Sequence, residues 1–430
     1  MSRPMRSAIG WVDFSSEHRD RVRSVLDLLG GASVLDELGI GSIRDSFSDL
    51  LFPGLSTIQT RAKYFLTVPR ILKEYEGLSR RERGKTPLAG YLPERERDVM
   101  ESLCRNHSGD GEDYTRLGIV GSKFYGRDRD AQRKPSAVYW NGLRTFGLVR
   151  SDRSLAEFVR TFADPLREIG DLLTATDQND PDDGGADAHE PRVLVADRED
   201  DDEGWIASVR LDLTAAEAGL LKRQIETRVP ESLLGRLMLD DALRETFLGP
   251  LADLRFADLY DEPAFTDPLP ADLRRDLRTA GDFWRLLEGA HVRYNVLLQP
   301  KGTPETRDEA EARWAAWRAG LDEFPWDRWE TDRLWEAAAR AKRAVKPFTR
   351  TFVTQWIRAV RAGADEAALD ALVSRQERLN KGPRARLREG ADGRVDDWVG
   401  IDRLEYRLPQ ARTMVRDVDD GLARAEPAGA

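Results

Sequence analysis

Four histidines and one cysteine are the residues here whose side chains most often bind metal ions or act as nucleophiles. His18, His107, His189 and His291 are far apart, none has a partner at the spacing of zinc ligands, and Cys104 stands alone. The chain also has no GxSxG nucleophile elbow. The sequence therefore predicts no metal site, no cofactor and no catalytic residue.

A partial phosphate-binding loop ends at Gly84, Lys85 and Thr86, which match the last residues of the GxxxxGK[ST] motif. The motif needs a glycine-rich turn whose backbone N–H groups approach the phosphates, followed by a helix. Ser79 occupies the first glycine position, and Pro87 directly follows the threonine. We interpret the match as a chance one, because that proline disfavours the helix that should begin there.

Carboxylates are abundant, with 77 Asp and Glu against 67 Lys and Arg, so acidic runs alone do not indicate a catalytic site. A restriction-type nuclease core needs an Asp and a Glu-x-Lys on adjacent strands. The segment WIASVRLDL at 205–213 offers Asp212 and no such lysine. A divergent nuclease stays open as an alternative on this basis.

Charge is segregated along the chain. The formal net charge is −10, which in bulk disfavours nonspecific attraction to nucleic acid or anionic lipid. An acidic run covers 177–203, whereas residues 116–150 contain eight Lys or Arg and two Asp. A local basic surplus therefore precedes a local acidic one.

The segment PSAVYWNGLRTFGLVR at 135–150 lies in this basic region and predicts a helix followed by an extended stretch. It begins with Pro135, and its helix ends at Gly147 before Leu148 and Val149. This is the order of a winged-helix recognition helix leading into its first wing strand. Such a helix lies in the DNA major groove, with flanking basic residues on phosphates.

The predicted nucleic-acid contacts follow from that helix and from a second, weaker basic pair. Tyr139 and Trp140 could stack on bases, but we expect them to pack inward. The predicted contact residues are Arg133, Lys134, Ser136, Asn141 and Arg144, with Arg61 and Lys63 as the second pair.

The remaining patterns predict a mainly α fold with a minor β component. Helices are expected at 17–29, through Phe47 and Leu51, after Ser56 or Thr57, and from the capping residues Ser154, Thr214 and Thr303. VLVAD at 193–197 and WIASVRLDL at 205–213 are the strand candidates. The tryptophans at 314, 317, 326 and 329 are expected to pack between helices.

A stretch rich in Asp, Gly and Pro suggests where the domains divide. We predict an N-terminal helical domain at 1–175 with a winged-helix-like unit near 116–152. An acidic linker at 176–203, a C-terminal mostly helical domain at 204–418 and a flexible tail at 419–430 follow. No apolar leader and no uncharged run of about 18 residues occur, and one cysteine fits a reducing compartment. We therefore expect a cytoplasmic protein without a membrane partner.

Five segments of the chain resemble one family. They are GWVDFS at 10–15, LGIGSIRDSFSDLLFPGLSTIQTRAKYFL at 38–66, PSAVYWNGLRTFGL at 135–148, HVRYNVLL at 291–298 and WVGIDRLEYRLPQARTMVRDVDDGL at 398–422. Together they resemble the uncharacterised prokaryotic family catalogued as domain of unknown function 6361. The resemblance implies no catalytic residues, and it suggests a place in mobile or antiviral gene clusters.

These observations lead to one main hypothesis and two alternatives. The main hypothesis is a non-catalytic subunit of a prokaryotic defence or mobile-element system that binds nucleic acid, with double-stranded DNA and other protein subunits as partners. The first alternative is a protein-interaction scaffold whose Trp-rich C-terminal helices dock a partner without touching DNA. The second is the divergent nuclease described above.

Overall fold

The computed structural model describes residues 36–109, 113–127, 131–162, 192–196, 204–299, 302–388 and 397–424. These residues are mainly helical, as predicted. In chain order, α1 to α18 are Gly41–Leu51, Tyr64–Gly77, Arg80–Lys85, Leu88–Asn106, Pro135–Thr145, Leu155–Thr161, Trp205–Ser208, Ala215–Arg228, Leu233–Leu239, Asp241–Leu248, Phe256–Leu259, Pro263–Thr266, Ala271–Leu298, Pro304–Gly320, Asp332–Arg340, Pro347–Arg361, Glu366–Lys381 and Leu408–Ala423. Short 3₁₀ helices cover Ser122–Phe124 and Gly382–Arg384.

Three predicted helix starts are confirmed by their capping bonds. The hydroxyls of Ser154, Thr214 and Thr303 each accept a hydrogen bond from a backbone N–H in the first turn of α6, α8 and α14. At α8 the carboxylate of Glu217 also accepts from the backbone of Thr214, which completes the capping box. These starts were readable because every group involved lies within four residues.

The predicted helix start at Ser56 or Thr57 was wrong, although the helix α1 and the turn after it were correct. Gly54 has φ +78°, and a Cβ there would lie 2.9 Å from the ring of Phe146. The next helix, α2, begins only at Tyr64 and contains Pro69. The intervening backbone is held by distant side chains instead of by helical hydrogen bonds.

The β component is smaller than predicted. Among the described residues, Val149 and Val193 form one isolated antiparallel bridge, with Arg150 N–H donating to Arg192 O at 2.9 Å. The winged-helix-like unit therefore stays a prediction.

The predicted strand at 205–213 was wrong, because its first part is α7. Its second part is neither helix nor strand, and Val209, Leu211 and Leu213 are buried in alternation with polar residues. Asn106 donates to Val209 O and His107 accepts from Leu211 N–H, so side chains make the backbone hydrogen bonds that a neighbouring strand would otherwise make.

The halves before and after the acidic run share one hydrophobic core. Buried apolar residues form a single cluster from Leu38 to Val418, and α1 packs against α13 and α15 of the C-terminal half. The predicted linker at 176–203, apart from 192–196, and the predicted helix at 17–29 lie outside the described residues. The domain boundary therefore stays a prediction.

The Trp-rich helices pack inward. Trp314 and Trp317 stack with their ring centroids 5.0 Å apart, and both are buried. A Cβ at Gly289 would lie 2.2 Å from the ring of Trp317, so that glycine permits α13 and α14 to approach closely. No helix in the described ranges is both long and apolar enough to span a membrane.

Candidate nucleic-acid interface

The helix that was predicted to contact nucleic acid, α5, is largely buried. Ser136 is buried, and its backbone N–H donates to Glu96 Oε1 at 2.5 Å. Asn141 is exposed, while Arg144 is half-buried and donates from Nε to Ser151 O at 2.6 Å. Of the predicted side chains on this helix, Asn141 is thus the one that lies fully open to solvent.

The two basic residues before α5 are partly accessible. Arg133 and Lys134 are half-buried, and Lys134 Nζ lies 3.4 Å from Pro93 O. Burial raises the pKa of the Glu96 carboxyl to about 7, against the hydrogen bonding with Ser136 and the nearby charge of Lys134, which both lower it. These two residues remain a candidate contact, although they are less exposed to solvent than the sequence suggested.

The aromatic pair on α5 faces inward, as expected. Tyr139 is fully buried, and its hydroxyl accepts from Thr60 N–H at 2.8 Å and donates to Arg61 O at 2.9 Å. Trp140 donates from its indole N–H to Arg153 O at 3.1 Å. Neither ring presents a face for stacking on a base.

The second predicted pair, Arg61 and Lys63, joins distant parts of the chain. Arg61 Nε lies 3.0 Å from both carboxylate oxygens of Asp417, and the same carboxylate accepts from Ala62 N–H at 2.8 Å. Lys63 is buried, and its Nζ lies 2.7 Å from Glu217 Oε2. Both cations are therefore neutralised by internal carboxylates, and Lys63 is not accessible to a phosphate.

A more strongly basic surface lies elsewhere, on residues 340–388, which we call the basic hairpin. It contains the antiparallel helices α16 and α17. The segment contains thirteen Lys or Arg and four Asp or Glu, a surplus of +9 in a chain whose net charge is −10. Its first half, residues 340–364, has seven basic and no acidic residues.

All four carboxylates of the basic hairpin form a hydrogen bond or an ion pair with another residue of the protein. Asp365 caps α17 by accepting from Ala368 N–H at 2.9 Å. Glu366 and Asp370 both form ion pairs with Arg293 of α13. Glu377 is fully buried and accepts from the Tyr294 hydroxyl at 2.9 Å and from the backbone N–H groups that follow α17.

The cations of the basic hairpin, by contrast, mostly face solvent. Arg340, Arg343 and Lys381 form ion pairs with Asp276, Asp49 and Glu37, respectively. Nine further cations are exposed and form no ion pair with a carboxylate in the described ranges: Lys342, Lys346, Arg350, Arg358, Arg361, Arg375, Arg378, Arg384 and Arg388. Each carboxylate of the hairpin thus has a partner within the protein, although Asp365 and Glu366 are themselves exposed, and most of the positive charge faces solvent.

The arginines of α16 form a stripe along one side of the helix. Arg358 and Arg361 follow Arg350 by eight and eleven positions. At 100° and 1.5 Å per residue, the three side chains lie within about 80° of arc and over about 16 Å of helix length. The opposite side is buried through Phe352, Trp356 and neighbouring apolar residues.

Two of the stripe arginines lie over tryptophan rings. The Arg350 guanidinium lies 4.7 Å from the ring centroid of Trp335, and that of Arg361 lies 5.6 Å from Trp326. These contacts orient the guanidinium groups at the surface while leaving their charge unneutralised.

The two basic parts of the hairpin meet at one end. Gly39, with φ +72°, lies against Thr349 at the start of α16 and against Asn380 at the end of α17. Arg375 of α17 also hydrogen-bonds to Gln355 of α16. The end of α17 therefore lies beside the start of α16.

Sequence reasoning missed this surface, although its signal was present. A running count of charge detects a segment with seven basic and no acidic residues. That Glu366, Asp370 and Glu377 are paired could not be read from the sequence, since their partners lie on α13 or after α17.

Neither a metal-binding group nor a phosphate loop accompanies these surfaces in the part of the chain that the structure describes. No group of three His, Cys, Asp or Glu side chains there could hold a metal ion. Gly84 and Lys85 lie in the last turn of α3, ahead of a bend and not at the start of a helix. The GKT sequence therefore lacks the geometry of a phosphate loop.

Comparison with known proteins gives one match. The model of a family of unknown function, DUF6361, matches residues 6–421. No curated protein and no solved structure matches the chain.

Proposed function

The chain belongs to the DUF6361 family of unknown function, and we propose that it binds nucleic acid through phosphate contacts made by the basic hairpin. The observation that carries this proposal is the division of charge on residues 340–388. Nine exposed cations lack a carboxylate partner in the described ranges, while all four carboxylates are bound internally. In a chain with a net charge of −10, such a surface stands out as a site for a polyanion.

Phosphate contact explains the choice of residues. Seven of the nine cations are arginines, whose planar guanidinium matches the geometry of two phosphate oxygens. No aromatic ring in the hairpin is fully exposed, so base stacking adds little. We therefore propose backbone binding without strong sequence preference, as expected for charge-driven contacts.

The proposed role is non-catalytic, and a winged-helix-like unit around α5 is kept as a second contact. Its support is the partial exposure of Arg133 and Lys134 and the exposure of the Asn141 side chain. Assignment to a defence or mobile-element system, and to other protein subunits, remains a prediction.

The test is binding of the full chain to a fluorescently labelled 20-base-pair DNA duplex over a salt series with Mg²⁺ present. The main variant replaces Arg350, Arg358 and Arg361 with Gln. A control variant replaces the exposed Lys73, Arg105 and Arg275 with Gln, which changes the net charge by the same amount. A third variant, Arg133→Ala with Lys134→Ala, tests the surface beside α5.

We expect the stripe variant to bind at least about tenfold more weakly and its log–log salt slope to fall by about 3, because each lost phosphate contact removes about 0.9. The control should retain the wild-type slope. If both variants lost DNA affinity equally, net charge alone would explain the loss, and the assigned surface would be wrong. Absence of binding by the wild-type chain at low salt would favour a protein-interaction scaffold, and Mg²⁺-dependent cleavage would favour a nuclease.

A further inference from the structure

A cleft of about 450 Å³ lies on the C-terminal half, away from the residues used above. One wall is a single side of α13, where Gly281, Trp284, Arg285 and Glu288 follow one another at helical spacing. The other walls are the segment 255–260, which includes α11, and residues 403–404. This volume is within the range of small-ligand sites in proteins.

The floor of the cleft is aromatic because α13 has a glycine where a side chain would block it. A Cβ at Gly281 would lie 2.2 Å from ring atoms of Tyr260, so Tyr260 lies directly against the helix backbone. Phe256 stacks on Tyr260 with an interplanar angle of 11°, and Trp284 adds a third buried ring. A flat aromatic ligand group finds an apolar surface here.

A carboxylate that has no partner among the described residues also lines this cleft. Glu288 is half-buried and forms no hydrogen bond or ion pair with a described residue. Partial burial raises the pKa of its carboxyl, whereas the charge of Arg313 lowers it. Arg313 itself is ion-paired with Asp402 at 2.6 Å, so neither oxygen of Glu288 is bonded to that guanidinium.

Two exposed arginines stand on the rim. Arg255 has no ion pair with a described residue, and Arg403 has only a 3.9 Å contact with Asp402. The third arginine of the lining, Arg285, is half-buried, and its Nη2 donates to Gly320 O at 3.0 Å, so it is less accessible than the two exposed arginines. Arg255 and Arg403 are thus the groups that can bind a ligand anion at the mouth of the cleft.

We propose that this cleft binds a guanine mononucleotide, with the base on the aromatic floor, its donor edge on Glu288 and its phosphate on Arg255 and Arg403. Guanine is the base that presents two adjacent N–H donors, N1–H and the 2-amino group, to the two oxygens of a carboxylate. Adenine offers acceptors beside its single amino group, which a carboxylate does not satisfy. The proposal does not rest on nucleic-acid binding by the basic hairpin.

The experiment is isothermal titration of the full chain with GMP, IMP, AMP and guanosine. GMP should bind at least about tenfold more tightly than IMP, which lacks the 2-amino group, and than AMP, because a site that binds a polar group discriminates against its loss. Guanosine should bind at least about tenfold more weakly than GMP, because it lacks the phosphate.

Two variants assign the contacts. Glu288→Gln should remove the preference for GMP over IMP, and Arg255→Gln with Arg403→Gln should remove the preference for GMP over guanosine. Far-UV circular dichroism and the melting temperature establish that both variants are folded, as expected for substitutions outside the core. The stripe variant of α16 should bind GMP like the wild-type chain, which separates this site from the proposed nucleic-acid surface.

Three results would overturn the proposal. These are no GMP binding up to roughly 1 mM, equal affinity for GMP, IMP and AMP, or GMP discrimination that persists in Glu288→Gln. Failure here would leave the basic hairpin unaffected, because the duplex experiment does not involve the cleft.

Discussion

Lys63 Nζ lies 2.7 Å from Glu217 Oε2 in a buried ion pair between residues 154 positions apart in the chain. The pair joins the start of α2 to the first turn of α8, where Glu217 also completes the capping box with Thr214. Glu217 thus serves a local and a long-range contact with the same carboxylate. A charge of this kind is stabilised only while its partner is present.

Replacing Lys63 with Met should therefore destabilise the fold by about 3–5 kcal/mol, because it leaves a buried carboxylate without its cation. The matched control is Lys73→Met, which breaks an exposed pair with Glu76 and should cost less than about 1 kcal/mol. Urea unfolding of both variants measures the difference. Similar losses in the two variants would mean that the Lys63 pair contributes no more than a surface pair.

The two contacts of Glu217 also show which part of the fold could be predicted. The capping box at Thr214 lies within four residues and was read directly from the sequence. The start of α2 was misplaced because the backbone before it is bound by Tyr139 and Asp417, which are 78 to 355 positions away. Local hydrogen-bonding patterns can be read along a chain, whereas long-range competition for the same backbone groups cannot.

The candidate interface could likewise be predicted only in part from the sequence. The basic surplus of residues 340–388 is a property of the sequence, and a count of charges finds it. Whether a cation is available depends on its partner, and Arg61 and Lys63 were predicted as contacts although Asp417 and Glu217 neutralise them. Only the folded structure, in which α18 and the start of α8 contact residues 61–63 just before α2, reveals those partners.

The carboxyl of Glu96 should make stability fall as pH rises. Burial raises its pKa from 4.5 to about 7, and its Oε1 accepts from Ser136 N–H at the start of α5. Below about pH 4.5 the group is neutral in both the folded and the unfolded chain. Between pH 4.5 and 7 the unfolded chain ionises more readily, which costs the folded state about 3 kcal/mol by pH 8.

Urea unfolding between pH 4.5 and 8 measures this effect when the wild-type chain is compared with Glu96→Gln. The glutamine oxygen still accepts from Ser136 N–H, but it does not ionise. The stability of the variant relative to wild type should rise by about 3 kcal/mol across the window. A difference that stays constant with pH would show that Glu96 titrates near its ordinary value.

The two helical glycines Gly281 and Gly84 should respond in opposite directions to the same substitution. A Cβ at Gly281 would lie 2.2 Å from the ring of Tyr260, which is buried and stacked on Phe256 and so cannot move without repacking. Gly281→Ala should therefore destabilise the fold by about 1–3 kcal/mol.

Gly84 lies in α3 with no atom within 4 Å of such a Cβ, and Gly84→Ala should stabilise by about 0.5–1 kcal/mol. Thermal unfolding of both variants gives the two signs, and stabilisation by Gly281→Ala would mean that Tyr260 does not lie against the backbone of α13.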